Sequence, residues 1–216
     1  MGQEEEDLKD YYSSRSGEYD RLYEKPDRQA DLAGMRNALI EKLSGRRILE
    51  IACGTGYWTE ILADHADSIL AIDSSTEMIE IARKRTESRA NVSFLVSDAY
   101  SMDNVGGSFE GALCGYWISH VKKRRIKKFL DTLHGKLESG SVVVMIDNRY
   151  VESATPISRT DGEGNTYQIR KLKNGQEYEI VKNFLTEGEL LELTSGTAYD
   201  RNFLEFEYYW VFQYTI

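Results

Sequence analysis

Proline is nearly missing from this chain: only Pro26 and Pro156 stand in 216 residues, where average usage would place about 11. A Pro-rich linker and a collagen-like repeat are excluded, and 41% apolar residues argue against disorder. Cysteine is as scarce. Cys53 and Cys114 lie inside apolar, strand-like runs and are too few for a disulfide framework, so they read as reduced thiols. The histidines His65, His120 and His134 are scattered and neither HExxH nor CxxC occurs, which argues against a zinc site. No run approaches the roughly 18 apolar residues that cross a bilayer. Met1 to Asp10 is acidic where a secretion signal is basic and then apolar, so a cytoplasmic chain is expected. Cations are in deficit too. Lys and Arg number 27 against 36 Asp and Glu, a net charge of −9. That balance argues against duplex nucleic acid as partner, because phosphates repel carboxylates.

What is present alternates. Apolar residues at Leu32, Met35, Leu39, Ile40 and Leu43 have helical spacing, and Ser44-Gly45 ends the run. Arg47 to Ala52, Ser68 to Ile72, Val92 to Val96, Phe109 to Cys114 and Ser141 to Ile146 each have the length of a buried strand. Helical patterns over Tyr57 to Ala66, Thr76 to Arg85 and His120 to Leu137 separate them. Strands alternating with helices predict an α/β fold, a mainly parallel sheet covered on both faces. Tyr167 to Leu172 and Gln176 to Phe184 then flank Asn174-Gly175, a hairpin signal. A short helix at Thr186 to Leu193 precedes the Tyr- and Phe-rich stretch Asn202 to Ile216, which reads as the antiparallel strands that finish the sheet. With no internal repeat and no boundary, residues 1–216 are expected to be one domain, with an inserted hairpin at 165–184.

The most informative stretch is Glu50-Ile51-Ala52-Cys53-Gly54-Thr55-Gly56, a strand running into a Gly-rich turn and a helix. Glycine there lets a ligand approach the backbone. Asp73 ends the second strand, where a carboxylate can accept both hydroxyls of a ribose, and Asp98 ends the third, where it can accept an exocyclic adenine amine. With Glu50, three carboxylates open onto one crevice. That set suits an adenosine carrying positive charge and repels a pyrophosphate. A nicotinamide dinucleotide would prefer Gly-x-Gly-x-x-Gly, and Thr59 stands at the third glycine; no Gly-Lys-Ser/Thr follows for a P-loop.

These residues resemble the class I S-adenosylmethionine-dependent methyltransferases, with Ala52 where their first glycine is usual. The resemblance implies a seven-stranded Rossmann-like methyltransferase sheet with helices on both faces, the hairpin inserted after strand 5, and residues 1–30 folding over the cofactor as an N-terminal covering segment. It implies that S-adenosylmethionine, leaving as S-adenosylhomocysteine, lies along Glu50, Ala52, Cys53, Gly54, Thr55, Gly56 and Trp58. Asp73 and Ser74 would hold the ribose and Asp98, Ala99 and Tyr100 the adenine, with Met78 on its ring and Gly115 nearby. Tyr12, Arg15 and Tyr19 of the covering segment complete the implied set, with Arg15 pairing the methionine carboxylate; an amphipathic helix that packs its tyrosines on the core is the other reading of this segment. Tyr11 to Asp20, Gly54 to Thr59, Trp117-Ile118-Ser119-His120-Val121, and Asn174-Gly175 followed by Ile180-Val181-Lys182 look more closely like the small-molecule O-methyltransferases of the phosphonate (dehydrophos) type.

On the substrate side, His120 after the fourth strand reads as a base, as a hydrogen-bond donor to an anion, or as an ordinary helix N-terminal residue. Tyr116 and Trp117 read as crevice walls and Tyr23 as a substrate contact. Arg170 and Lys182 are the hairpin cations that the subgroup resemblance implies for an anion. A two-residue Asn174-Gly175 turn would pair Arg170 with Glu179 and Tyr167 with Lys182, putting the cations on opposite faces; a longer turn would reunite them. Lys122 to Lys128 holds six cations in seven residues and reads as a solvated helix or as an RNA or acidic-partner contact. The expected activity is O-methylation of a small anionic molecule by a monomer or weak homodimer. N-methylation of an amine or RNA base is the alternative, though Cys114-Gly115-Tyr116-Trp117 replaces the Asn/Asp-Pro-Pro-Tyr of many such enzymes. A non-catalytic cofactor-binding regulator and a nicotinamide oxidoreductase are the readings from other classes.

Overall fold

The structure, a computed structural model, describes residues 3–15, 20–172 and 174–216. Tyr19 lies outside the described residues, as does the side chain of Arg15. Five parallel strands are the frame: β1 (Arg47–Ile51), β2 (Ser68–Asp73), β3 (Val92–Val96), β4 (Phe109–Gly115) and β5 (Leu137–Asn148). Helices α1 (Gln3–Arg15), α2 (Gln29–Leu43), α3 (Tyr57–Ala63), α4 (Thr76–Arg85), α5 (Lys123–His134) and α6 (Glu187–Leu193) flank them. Antiparallel β9 (Tyr199–Glu205) and β10 (Tyr209–Thr215) complete a seven-stranded sheet in the order β3-β2-β1-β4-β5-β10-β9. The order reverses between β1 and β4, so a crevice opens outside their C-terminal ends.

Both sheet faces carry apolar side chains because successive residues of a strand point to opposite sides. Trp210, Phe212 and Tyr214 of β10 pack with Ile126, Phe129 and Leu133 of α5. Tyr209 and Val211 face the other way, toward Leu39 and Leu43 of α2 and Leu62 of α3. Edge strand β3 keeps one backbone carbonyl occupied, as Arg83 donates to Phe94 O at 2.9 Å.

Strands β5 and β9 start earlier than expected, at Leu137 and Tyr199 rather than Ser141 and Asn202, and three further elements differ from the sequence reading. The helix expected over His120 to Leu137 is shorter at both ends: Ile118–His120 forms a separate 3-10 turn, Val121 is extended, and α5 runs only from Lys123 to His134. Helix α3 stops at Ala63 because the N–H groups of His65 and Ala66 turn back to Leu62 O. The hairpin is a three-stranded sheet, β6 (Arg159–Thr160), β7 (Thr166–Lys171) and β8 (Glu177–Val181), with β6 unanticipated in two residues too few to show a period.

The hairpin register also differs. Leu172 N–H donates to Gln176 O and Gly175, at φ +88°, donates to Leu172 O, a connection one residue longer than the two-residue turn. Arg170 therefore stands opposite Tyr178, and Lys182 follows four residues on, so both cations share a face. Helix α1 packs on that face, with the Tyr11 ring 5.8 Å from Tyr178.

Candidate functional site

Two cavities open side by side at the C-terminal ends of β1 and β4. The first is lined by Gly54, Asp73, Met78, Asp98 and Gly115 from the sheet side and by Leu8 and Tyr12 from α1. Ala52, Ser74, Ala99, Trp117 and His120 also line it. Leu8, Ser75 and Ser97 join them although nothing in their local sequence marks them; their places depend on α1 folding back and on the strand ends converging. Among the described residues no Lys or Arg lines this cavity, and its two carboxylates are Asp73 and Asp98.

Asp73 is fixed by backbone donors: Gly54 N–H to Oδ2 and Ser75 N–H to Oδ1, both at 2.9 Å. Asp98 is fixed by Tyr100 N–H at 2.9 Å. Glu50 behaves differently. It is 2% exposed and accepts a hydrogen bond from the Thr59 hydroxyl at 2.7 Å. Burial pushes its carboxyl up to about 8. At neutral pH Glu50 is thus mainly a neutral group tying the end of β1 to α3, and two of the three expected charges face the cavity.

The turn between β1 and α3 stores strain. Ala52 has φ +53° and Tyr116, just past β4, has φ +54°, a left-handed conformation that costs a non-glycine residue roughly 1 kcal/mol. Ala52 occupies the usual glycine position by accepting that cost. Gly56 cannot be exchanged so simply: a Cβ there would stand 2.9 Å from Ala82 Cβ, at φ +78°. It sets the approach of α3 to α4. Cys53, Thr55 and Gly56 in the turn, Trp58 in α3 and Tyr100 after β3 do not line the cavity. Trp58 is core, and the Thr55 hydroxyl bonds Asp20, whose other oxygen pairs with Arg85. With the Ser13 hydroxyl 3.0 Å from Ser75 Oγ, these bonds fasten the N-terminal segment over the crevice.

The second cavity carries the opposite charge. Arg28, Arg149, Arg170 and Lys182 line it with Tyr23 and Tyr209, and among the described residues no carboxylate does. Tyr12 and Tyr116 line both cavities and form the wall between them. Trp117 lines only the first, its ring 5.3 Å from Tyr100. Lys182 is 3% exposed and donates to Asp147 Oδ1 at 2.8 Å and to Ser119 Oγ at 2.7 Å, so its charge is matched. Burial lowers its pKa. Arg170 bonds Gln168 Oε1 at 2.5 Å and pairs with no carboxylate among the described residues. It brings to the cavity a charge with no carboxylate partner among the described residues.

His120 is buried at the junction. Its Nδ1 lies 2.7 Å from Val181 O, which can only accept, so Nδ1 carries the proton and Nε2 accepts from the Tyr12 hydroxyl at 2.8 Å. Burial, and after it the Lys182 ammonium, push the ring down to about 3. The imidazole is neutral at physiological pH and weakly basic. The basic run on α5 is largely partnered: Lys123 pairs with Glu189, Arg124 with Glu163 and Lys127 with Asp131, and Arg125 lies 3.7 Å over the Tyr100 ring. Among the described residues no helix is long and apolar enough to cross a membrane, and no cluster of metal-binding side chains occurs.

A crevice of glycine backbone and carboxylates, with no cation among the described residues, fits a positively charged nucleotide without phosphates. Comparison with known proteins agrees. Residues 48–140 match the methyltransferase domain family. A demethylmenaquinone methyltransferase of Staphylococcus saprophyticus is 24% identical over 160 residues, 70% of this chain and 66% of that protein. A malonyl-[acyl-carrier protein] O-methyltransferase of Paenibacillus sp. is 35% identical over 113 residues, 47% of this chain and 39% of that one. The chain thus spans less than two thirds of either relative's length. Among solved structures, a DhpI–SAM–HEP complex superposes with a TM-score of 0.82 at 26% identity, covering 100% of both chains, and a DhpI–SAH complex with 0.75 at 27%, covering 97% and 95%.

Proposed function

We propose that the chain is an S-adenosylmethionine-dependent methyltransferase, a single domain that methylates an oxygen of a small anionic molecule. The observation that carries this reading is the pair of cavities sharing the Tyr12–Tyr116 wall, one lined by carboxylates and the other by cations. The cofactor supplies an activated methyl on its sulfonium. Asp73 takes the ribose hydroxyls, Asp98 the adenine amine, and Met78 packs on the ring. Gly54 gives backbone approach to the methionine part, and Tyr12 covers it. The domain match and the two DhpI complexes support this cofactor.

Displacement at a methyl group asks chiefly for alignment. The anion sits against Arg170, with Lys182 and Tyr23 beside it, and so brings its oxygen to the shared wall. A carboxylate, phosphate or phosphonate oxygen is already deprotonated at neutral pH and needs no general base. That agrees with a His120 ring whose Nε2 is occupied by Tyr12. His120 acts as a positioning residue, holding the Tyr12 hydroxyl at the boundary, and the base role drawn from its sequence position gives way to this one. The compact, cation-lined second cavity favours a small acid over the quinone of the Staphylococcus relative.

The test is transfer of a labelled methyl group to a panel of small carboxylates, phosphates, phosphonates and amines. We expect O-methylated acids as products. Arg170→Ala should raise KM for them at least tenfold while the protein still binds S-adenosylhomocysteine in a calorimeter. Absence of cofactor binding, or methylation of amines alone, would overturn the reading.

A further inference from the structure

The cations of the second cavity form two groups. Lys182, bonded to Ser119 beside His120, belongs with Arg170 to the end nearest the cofactor crevice. Arg28 lies elsewhere. Its guanidinium sits 3.2 Å from the Tyr208 ring centroid and 5.7 Å from that of Tyr209, and Tyr209 in turn is 5.8 Å from the shared-wall residue Tyr116. One aromatic ring therefore separates Arg28 from the wall where methyl transfer is placed. Arg28 is 9% exposed, and its Nε is buried without a hydrogen-bond partner although Asp27 Oδ2 stands 3.1 Å away. Lys25, three residues earlier, lines the same end and pairs with no carboxylate among the described residues. Arg149 is there too, held by Glu205 at 3.1 Å and Phe206 O at 2.6 Å. Of the other nearby acids, Asp31 is occupied by Tyr208 N–H at 2.8 Å and Glu207 accepts from the Tyr208 hydroxyl.

We propose that the methyl acceptor carries two anionic groups: one against Arg170 and Lys182, where the oxygen is methylated, and a second at the far end against Arg28 and Lys25. Each end has one cation without a carboxylate partner, Arg170 at the first and Lys25 at the second. A monoanion at the wall would leave exposed Lys25 without an anion and Arg28 with Asp27 as its one ion-pair partner, its buried Nε making no hydrogen bond. The tyrosine rings between the ends accommodate a short carbon chain. The acceptor class is a short-chain diacid, such as a phosphonocarboxylate or a dicarboxylate. This rests on the anionic-acceptor reading above.

Calorimetric titration of the full chain, loaded with S-adenosylhomocysteine, tests it with phosphonoacetate, 3-phosphonopropionate and 4-phosphonobutyrate against ethylphosphonate. One diacid length should bind at least about tenfold tighter than ethylphosphonate. A nonspecific effect of added charge would not select a length. In Arg28→Gln the ratio of the two affinities should fall to about one, and in the exposed Lys25→Gln it should fall several-fold. Should Arg28→Gln fail to fold, Lys25→Gln decides. Ethylphosphonate binding as tightly as every diacid, or a ratio untouched in the folded variants, overturns the second anion while sparing the first. Binding of neither class overturns both.

Discussion

The Tyr12 hydroxyl stands 2.8 Å from His120 Nε2, joining two residues 108 positions apart, and the other nitrogen of the same ring holds Val181 O at the end of β8. One imidazole thus links helix α1, the 3-10 turn after β4 and the hairpin. The ring should stay neutral well below its ordinary titration range: NMR signals of His120 should remain at the neutral position from pH 8 down to 5. A midpoint near 6.5 would count against it. Because the folded pKa is depressed to about 3, His120 contributes stability above pH 6.5 that is lost as pH falls from there toward 3.

Glu50 predicts the opposite limb. Its carboxyl, raised to about 8 by burial, contributes stability that is full below about pH 4.5 and is lost as pH rises through 8. Cofactor-free protein should therefore melt at lower temperature at pH 8.5 than at pH 6, and Glu50→Gln should flatten that difference. An equal slope in the variant would show that Glu50 does not titrate in this window.

Ala52 and Gly56 make a matched pair of turn tests. Ala52→Gly relieves a φ of +53° and should gain up to about 1 kcal/mol, seen as a rise in Tm of roughly 2–4 °C. Gly56→Ala drives a methyl to 2.9 Å from Ala82 Cβ at φ +78° and should lower Tm and weaken cofactor binding together. The first change leaves backbone access to the crevice open, so cofactor affinity should hold within about twofold.

Asp147 is 0% exposed and matches a Lys182 that is 3% exposed. Removing the carboxylate strands a buried ammonium, a loss of about 3–5 kcal/mol in comparable cases. Asp147→Asn should accordingly lower Tm by about 10 °C. Asp147→Asn combined with Lys182→Met should recover part of that loss by removing the stranded charge. No recovery in the double variant would mean that Asp147 acts through its bonds to Ser119 and Asn148 N–H instead.

Strands β1 to β4 were legible almost to the residue: β1, β2 and β4 are largely buried and read as short apolar runs whatever surrounds them, and the half-exposed edge strand β3 still keeps an apolar majority between breaks. The Gly-rich turn and Asp73 were legible for a related reason: their positions follow from local chain order. The parts that escaped depend on tertiary contact. Arg28 precedes an ordinary helix, and its place in the second cavity arises only because Tyr208 and Tyr209 at the start of β10 come up beneath it. The matched charge of Lys182 needs Asp147 from β5, 35 residues away. The charge state of Glu50 is equally hidden, because sequence reports the carboxyl and burial decides its proton. Tyr116 is left-handed at a position with no glycine to announce it.

The connection between β7 and β8 works as a selector. In a strand pair, adding or removing one residue at the turn exchanges the two faces of one strand relative to the other. Here Gln168 and Arg170 look inward with Tyr178 and Lys182, while Ile169 is 57% exposed on the outside. Shortening the turn by one residue would bring Ile169 or Lys182 onto the wrong side without altering a single side chain of the pocket. Acceptor preference in such a scaffold can therefore drift through loop length alone. Two chains with the same cations in the same order need not greet the same acid.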